Sequence, residues 1–308
     1  MKWKKLGNIF SVNKNNNWMY SHASVPFAEL IKDNKFKIYF STRNNKNESS
    51  IGYIIIDLDN LEKIIYISEN AVLTKGELGS FDDSGTMGTC ILNIDNIKYL
   101  YYIGWNLGKT VPFRNSIGLA ISKDNGSTFE KAYNGPILDR TKEEPHFTAS
   151  SCVIKDNGIY KIWYLSCTNW IKLNNKITPC YHIKYAESND GIIWNRKGIV
   201  AIDYKDVYEY AISVPRVIKE NNVYKMWFSS RGTKEIETYR IRYAESKDGI
   251  IWIRKDEDVG IDVSKKGWDS EMICYPFIFD HKDNRYMLYN GNDYGKTGIG
   301  LAVLEDIK

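Results

Sequence analysis

YAESNDGIIW (Tyr185–Trp194) and YAESKDGIIW (Tyr243–Trp252) stand 58 positions apart. A chain that writes nearly the same ten residues twice at such a distance is built from a recurring unit, and a fixed internal period marks a repeat architecture. Just upstream of each echo lies another, YKIWYLS (Tyr160–Ser166) and YKMWFSS (Tyr224–Ser230). The same pattern returns as FKIYFST from Phe36, YLYYIGW from Tyr99 and RYMLYNG from Arg285. Aligning Tyr39, Tyr101, Trp163, Trp227 and Leu288 gives steps of 62, 62, 64 and 61, hence five units of about sixty residues.

Each unit reads alike. An apolar run of strand length (SVPFAELI, MGTCILNI, SSCVIKD, SVPRVIK, CYPFIFD) meets a polar turn, and the aromatic strand follows. A variable loop leads to a third strand (IGYIIID, SIGLAIS, HIKYAES, RIRYAES, GIGLAVL), then a hairpin and a fourth. Short strands punctuated by Asn, Asp and Gly turns signal antiparallel sheet, and no helical period is sustained. Four strands taken five times predict an all-β chain: a five-bladed β-propeller of four-stranded antiparallel blades, one domain over 1–308. The fifth unit ends at GIGLAVLEDIK without a fourth strand. WKKLG (Trp3–Gly7) resembles WNRKG (Trp194–Gly198), where the fourth strand of unit three opens. Residues 1–12 are therefore expected to complete the last blade and lock the ring.

The echo itself is the third strand with its turn. SKDNGSTF (Ser122–Phe129) matches S-x-D-x-G-x-x-F, a hairpin that resembles the Asp-box of sialidases and other propellers, and the two YAES copies are one residue shorter. Asp124, Asp190 and Asp248 are expected to bond their own turns while Gly supplies positive φ. That makes them structural despite their repetition.

Composition narrows the function. With 308 residues, 43% hydrophobic and 26% charged, the chain can bury a large core. Net charge is +4 without any Lys/Arg tract, so nucleic acid is not an expected partner. No stretch has the length of a membrane span, and the basic N-terminus has too short an apolar run for a signal peptide. Cys90, Cys152, Cys167, Cys180 and Cys274 show no CxxC spacing, so neither zinc nor a disulfide framework is indicated and a reducing cytoplasm is expected. No cofactor and no metal site is expected. Aromatics at 14% suit packed strands and flat, sugar-like ligands.

Strands alternate direction within a blade, so the starts of first strands, the ends of second strands and the loops into third strands share one face. Counting about five residues ahead of Pro26, Gly88, Ser151, Pro215 and Pro276 gives Ser21, Asp83, His146, Tyr210 and Glu271, with His22, Asp82, Glu209 and Ser270 beside them. Asp83, Glu209 and Glu271 thus converge as candidate catalytic carboxylates. Second-strand ends add Arg43, Trp105, Trp170, Arg231, Asn292 and Asp293. Arg43 and Arg231 share a register, where guanidinium groups clamp a carboxylate or phosphate or pair with an acid of the cleft. Trp105 and Trp170 would form a stacking wall or pack between blades.

The stretches FDDSGTMG, YYIGWN, WDSEMICYPF and YNGNDYGKTGIGLA, with the blade pattern of the whole chain, resemble the five-bladed propeller glycosidases of glycoside hydrolase families 43, 32 and 62 and the mannoside phosphorylases of family 130. In type, the likeness is closest to glycosidase-like propellers associated with bacterial surface-polysaccharide genes. The resemblance implies a carbohydrate-active enzyme acting on a glycan or activated sugar through a carboxylate pair. Glu271 would be the acid, since Met272, Ile273 and Cys274 can desolvate it. Asp83 would be the base or position water, and Glu209 would tune or bind. His22, His146, Tyr210, Arg43, Arg216 and Arg231 would hold the sugar or an acidic substituent. In the inverting families an Asp at the start of the first blade is the base; here YSHASVP has His22 and no carboxylate. That departure favours either phosphorolysis or a propeller that binds a glycan or nucleotide sugar without turnover. A protein-interaction scaffold is the third reading and predicts a broad apolar face.

Overall fold

The computed structural model describes residues 1–14, 16–234 and 236–305. It is all-β, with one four-residue helix (Asn292–Gly295) and one 3-10 turn (Asp256–Asp258) among the described residues.

Twenty strands form three sheets, one of four strands and two of eight, and in each larger sheet a single parallel pairing (Ser49 with Gly85, Tyr181 with Ala211) joins two antiparallel sets of four. The first set is Ser21–Lys32, Lys35–Arg43, Ser49–Asp57 and Asn60–Ile67; the second Gly85–Ile94, Ile97–Leu107, Phe113–Ser122 and Glu130–Lys131. The third is Thr148–Asp156, Ile159–Leu173, Lys176–Ser188 and Val200–Ile202; the fourth Ala211–Glu220, Val223–Arg231, Arg240–Ser246 and Ile253–Arg254. In the fifth, Cys274–His281, Asn284–Asn290 and Ile299–Glu305 are joined by Lys2–Phe10, which pairs antiparallel with the last strand (Trp3 opposite Leu304). First strands pack against one another in unit order, and that of unit five packs against that of unit one.

The repeated turn has a physical reason. Asp124 Oδ1 accepts the N–H groups of Ser127 and Thr128, both at 3.0 Å. Asp190 takes those of Ile192 and Ile193, and Asp248 those of Ile250 and Ile251. The carbonyl of the turn glycine then accepts a hydrogen bond from the unit before it. Tyr39 Oη donates to Gly126 O (3.1 Å), Tyr101 Oη to Gly191 O (2.9 Å) and Trp163 Nε1 to Gly249 O (2.8 Å). The aromatic that sets the sixty-residue period is therefore a staple between successive sheets, which is why it carries a polar handle in an otherwise buried position. Trp227 Nε1, next in the series, is buried without an acceptor among the described residues, and the fifth unit has no Asp-box sequence to offer one.

Every first strand is bulged near its start. Val25, Val214 and Tyr275, each preceding a proline, have φ of 51°, 47° and 57°, unusual for β-branched or bulky residues. Each strained N–H is held by a side chain from the preceding unit: Asn290 Oδ1 for Val25, Ser150 Oγ for Val214 and Ser229 Oγ for Tyr275. The kinks fix how the strand starts are presented to the face described next.

Candidate functional site

One pocket of about 510 Å³ draws on all five units. Unit one contributes Ser24, Arg43, Asn47 and Ser49, and unit two Met87, Trp105, Phe113 and Asn115. Unit three contributes Pro179 and Tyr181, unit four Arg231 and Tyr239, and unit five Tyr275 and Tyr294. These are strand starts, second-strand ends and the approaches to third strands, the face the alternation of strand direction predicts.

Arg231 is its centre. The guanidinium lies 4.9 Å from the Tyr239 ring centroid and 5.3 Å from that of Tyr210, and Nη1 donates to Tyr294 Oη at 2.7 Å. Its Nε is buried without an acceptor among the described residues. Gly232, at φ +88°, leaves room for the Tyr210 ring, which a Cβ would meet at 2.3 Å. Tyr294 follows Asp293 in a left-handed pair (φ 59° and 53°) that shapes the short turn after Asn290. Tyr181 and Tyr239 hydroxyls hydrogen-bond each other, and burial pushes the Tyr239 phenol far above its ordinary range. Trp105 Nε1 donates to Ser49 Oγ at 2.7 Å beside Gly85, where a Cβ would meet both side chains. Arg43 is largely buried, and desolvation pulls its pKa down. Among the described residues no carboxylate lines the pocket.

His22, at φ 64°, bonds Ser21 Oγ through Nδ1. Burial and then the charges of Arg43 and Lys296 lower its pKa to about 4, with Asp293 opposing. It is therefore neutral at pH 7, next to the arginine rather than in the pocket wall. Asp293 pairs with Lys296 at 3.6 Å on the surface. Asn292 ties down the loop ahead of unit five, its Oδ1 accepting Glu271 and Met272 N–H. Arg216 lies 4.0 Å over the Phe277 ring and donates to Ile278 O, a contact between units four and five. Trp170 packs with Phe113 and Phe147 behind the wall, and His146 is half-buried.

The acids are placed differently from the arginines. Glu209 is buried and gripped bidentately by Arg254 (2.6 and 3.0 Å), with Lys205 N–H on Oε2. It faces a separate hollow of about 240 Å³ with Lys205, Lys234 and Arg242. Three other units carry the same clamp. Asp82 takes Tyr102 Oη (3.1 Å) and Lys131 (2.6 Å); Asp269 takes Tyr289 Oη (3.1 Å) and Lys5 (2.7 Å). Glu144 takes Tyr164 Oη (2.9 Å), with Arg196 at 3.8 Å. Each buried acid thus ties a first-strand approach to the second strand's ring and to a basic residue two places after the aromatic of the fourth-strand segment: Phe129/Lys131, Trp194/Arg196, Trp252/Arg254 and Trp3/Lys5. In unit four Phe228 replaces the tyrosine and Arg254 lies over its ring at 5.3 Å. Glu209 therefore belongs to an intra-unit pillar, and Lys5 does for unit five what fourth strands do elsewhere. Asp83 accepts Gly79 N–H and Ser84 Oγ–H in its turn. Glu271 is exposed, its backbone oxygen accepting Thr238 and Arg240. Neither lines the pocket.

Of the expected site residues, then, Arg43, Trp105 and Arg231 line the pocket, Tyr210 stacks on Arg231, and His22 adjoins Arg43. The pocket tyrosines Tyr181, Tyr239, Tyr275 and Tyr294 were not anticipated. Two had a signal: the echo extends four residues upstream, from YHIKYAES to YRIRYAES, and starts on Tyr181 and Tyr239. Among the described residues no cluster of three or more His, Cys, Asp or Glu is arranged to hold a metal ion, and no helix is long and apolar enough to cross a membrane.

Solved structures with this architecture are glycosidase-like propellers. One described as a glycoside hydrolase matches at a TM-score of 0.75 and 17% identity, covering 99% of this chain and 93% of that one. A thermostable family-43 glycoside hydrolase matches at 0.69 and 15%, covering 96% and 94%. A structure from the GH130 family of mannoside phosphorylases, described as containing glycoside hydrolases that target beta-1,2 mannosidic linkages in Candida mannan, matches at 0.72 and 15%, covering 99% and 94%. At these identities the likeness establishes the glycosidase-like propeller fold. No family model matches the sequence. The chain belongs to the family of the Mycobacterium tuberculosis (strain ATCC 25618 / H37Rv) protein designated Uncharacterized protein Rv1502, to which it is 42% identical over 306 residues, covering 99% of this chain and 100% of that protein. The counterpart in strain CDC 1551 / Oshkosh, Uncharacterized protein MT1551, has the same identity and coverage.

Proposed function

We propose that the five units are the blades of a closed ring, one domain locked by the N-terminal strand, and that the central pocket takes a saccharide or activated sugar. The observation that carries this reading is the pocket itself. Its Trp105 and tyrosine rings offer flat apolar surface for the C–H faces of a sugar ring, while phenols, Asn115 and arginines offer hydroxyl partners. The glycosidase-like fold supports the same ligand class. Binding, with or without turnover, fits better than hydrolysis by two carboxylates, because that route needs paired acids about 5–9.5 Å apart across the substrate and the described lining has none. Five free, buried thiols are consistent with a cytoplasmic setting.

Paired-acid hydrolysis is the second reading, favoured by one observation: Asp83 and Glu271, unlike Glu209, have no ion-pair partner among the described residues. A panel of bacterial glycans, hexoses and sugar phosphates screened by thermal shift and calorimetry tests both. Binding that Trp105→Ala weakens supports the pocket, and the absence of any saccharide ligand overturns it. Loss of glycan cleavage in Glu271→Gln and Asp83→Asn, with folding intact, would instead install those acids in chemistry.

A further inference from the structure

Resting on the reading of the central pocket as a saccharide site, we infer that its ligand is anionic: a sugar bearing a phosphate or carboxylate held by Arg231 and Arg43. Two largely covered arginines elsewhere in the chain show one way the fold satisfies such groups. Arg254 holds Glu209 and Asp256, and Arg285 holds Asp280 and Glu220. Arg231 and Arg43 share one pocket and have no carboxylate partner among the described residues. Arg231 donates to a neutral phenol and lies over two more, and its buried Nε has no acceptor among those residues.

A desolvated cation without a counter-charge is costly, and neutral rings only partly offset that cost. Hydrogen bonds from guanidinium to phosphate or carboxylate are strong and bidentate, so an anion entering the pocket supplies what the lining omits. The phenols assist. Burial keeps Tyr239 and Tyr275 protonated, hence donors. In the Tyr181–Tyr239 pair one hydroxyl donates its proton to the other. Tyr275, whose left-handed backbone is fixed by Ser229, sets its ring 5.9 Å from that of Tyr239. Tyr275 therefore sits on a bulged strand start, where the backbone holds it in place before any ligand arrives.

The test is calorimetry of the full chain with glucose, mannose and galactose, each as free sugar, 1-phosphate and uronic acid, and with inorganic phosphate alone. In a series that binds, the charged member is expected to bind at least about tenfold tighter than the free sugar. That advantage should shrink between about 50 and 500 mM NaCl and vanish in Arg231→Gln. The phosphate and uronate arms tell which anion is preferred. Equal affinity for neutral and charged members overturns the inference while leaving the saccharide pocket standing. Arg231-dependent binding of phosphate with no sugar bound supports the anion site and removes the saccharide reading. No binding in any arm overturns both. Should Arg231→Gln not fold, Arg43→Gln carries the same expectation, and the wild-type comparison needs no variant.

Discussion

Glu209→Ala separates a pillar from a catalytic acid. Its side chain is 3% exposed, and the Arg254 fork that grips it is 17% exposed. Breaking a buried pair by removing one partner costs about 3–5 kcal/mol, because the other charge stays behind. Here Asp256 still accepts from Arg254 at 2.8 Å, which retains part of the compensation, while Lys205 N–H loses its acceptor. We therefore expect a loss of about 2–4 kcal/mol. At roughly 2–4 °C per kcal/mol for a domain of somewhat smaller size, the melting temperature should fall by about 4–16 °C. Glu209→Gln keeps an acceptor but loses the charge and should fall between the two. The double replacement Glu209→Leu/Arg254→Met should recover most of the loss, since a packed apolar pair commonly substitutes for a buried ionic one. The assay is differential scanning calorimetry with saccharide binding measured on each folded variant. A Glu209→Gln protein that melts like wild type but has lost binding or turnover would refute the pillar assignment and restore the acid to the chemistry.

Lys5→Ala should destabilise by about 1–3 kcal/mol in urea unfolding, since Asp269 would keep only Tyr289 and the Ser264 contact would go as well. Deleting residues 1–10 should abolish the cooperative fold, seen as loss of a single melting transition, because it bares the Ile299–Glu305 strand along its whole edge. His22 predicts an acid limb: its pKa falls from 6.5 to about 4 on folding, so the unfolded chain takes the proton first. Its contribution is complete above pH 6.5 and is lost as pH drops toward 4; discounted for its partial exposure it is about 1–2 kcal/mol. The stabilities of wild type and His22→Gln in urea should converge by that amount between about pH 7.5 and about pH 4, and a constant gap would sink the assignment. Gly85→Ala should weaken saccharide binding more than a surface Gly→Ala change, because at φ +155° its Cβ would meet Ser49 and the Trp105 indole; titration against Gly135→Ala, which meets nothing, checks it.

The repeat was legible because packing between sheets demands the same few atoms each time. Tyr39, Tyr101 and Trp163 each give a hydrogen bond to the next turn's glycine, so both the aromatic and the Asp-x-Gly turn had to recur in the sequence. The likeness of WKKLG to WNRKG was informative for the same reason: Lys5 and Arg196 serve buried acids at matching places. The site was less legible because register alone places an acid near a strand start without saying which way it faces. Asp82 and Asp83 are neighbours, yet the first is a buried pillar and the second a turn residue. In three units the pillar acid stands twenty residues before the second-strand ring, as in Asp82–Tyr102, Glu144–Tyr164 and Asp269–Tyr289, but Glu209 precedes Phe228 by nineteen, the spacing of Asp83 from Tyr102, so spacing alone does not separate the two roles.

That spacing changes what the first unit means. Four units commit a buried acid to holding their own strands; the first has Tyr20 twenty residues before Phe40, then Ser21 and His22, and no carboxylate there. His22 brings no counter-charge to Arg43, since burial and then that arginine's own field hold it neutral. A carboxylate at position 22 would pair with Arg43 and close the arginine to any incoming anion. The departure in YSHASVP, which weakens the case for a general base, is on this argument what keeps the pocket positive. His22→Asp should accordingly lower affinity for charged sugars at least about tenfold while sparing their neutral forms, measured by the same calorimetric series. Unchanged affinity for the charged members would show that Arg43 takes no part in holding the anion.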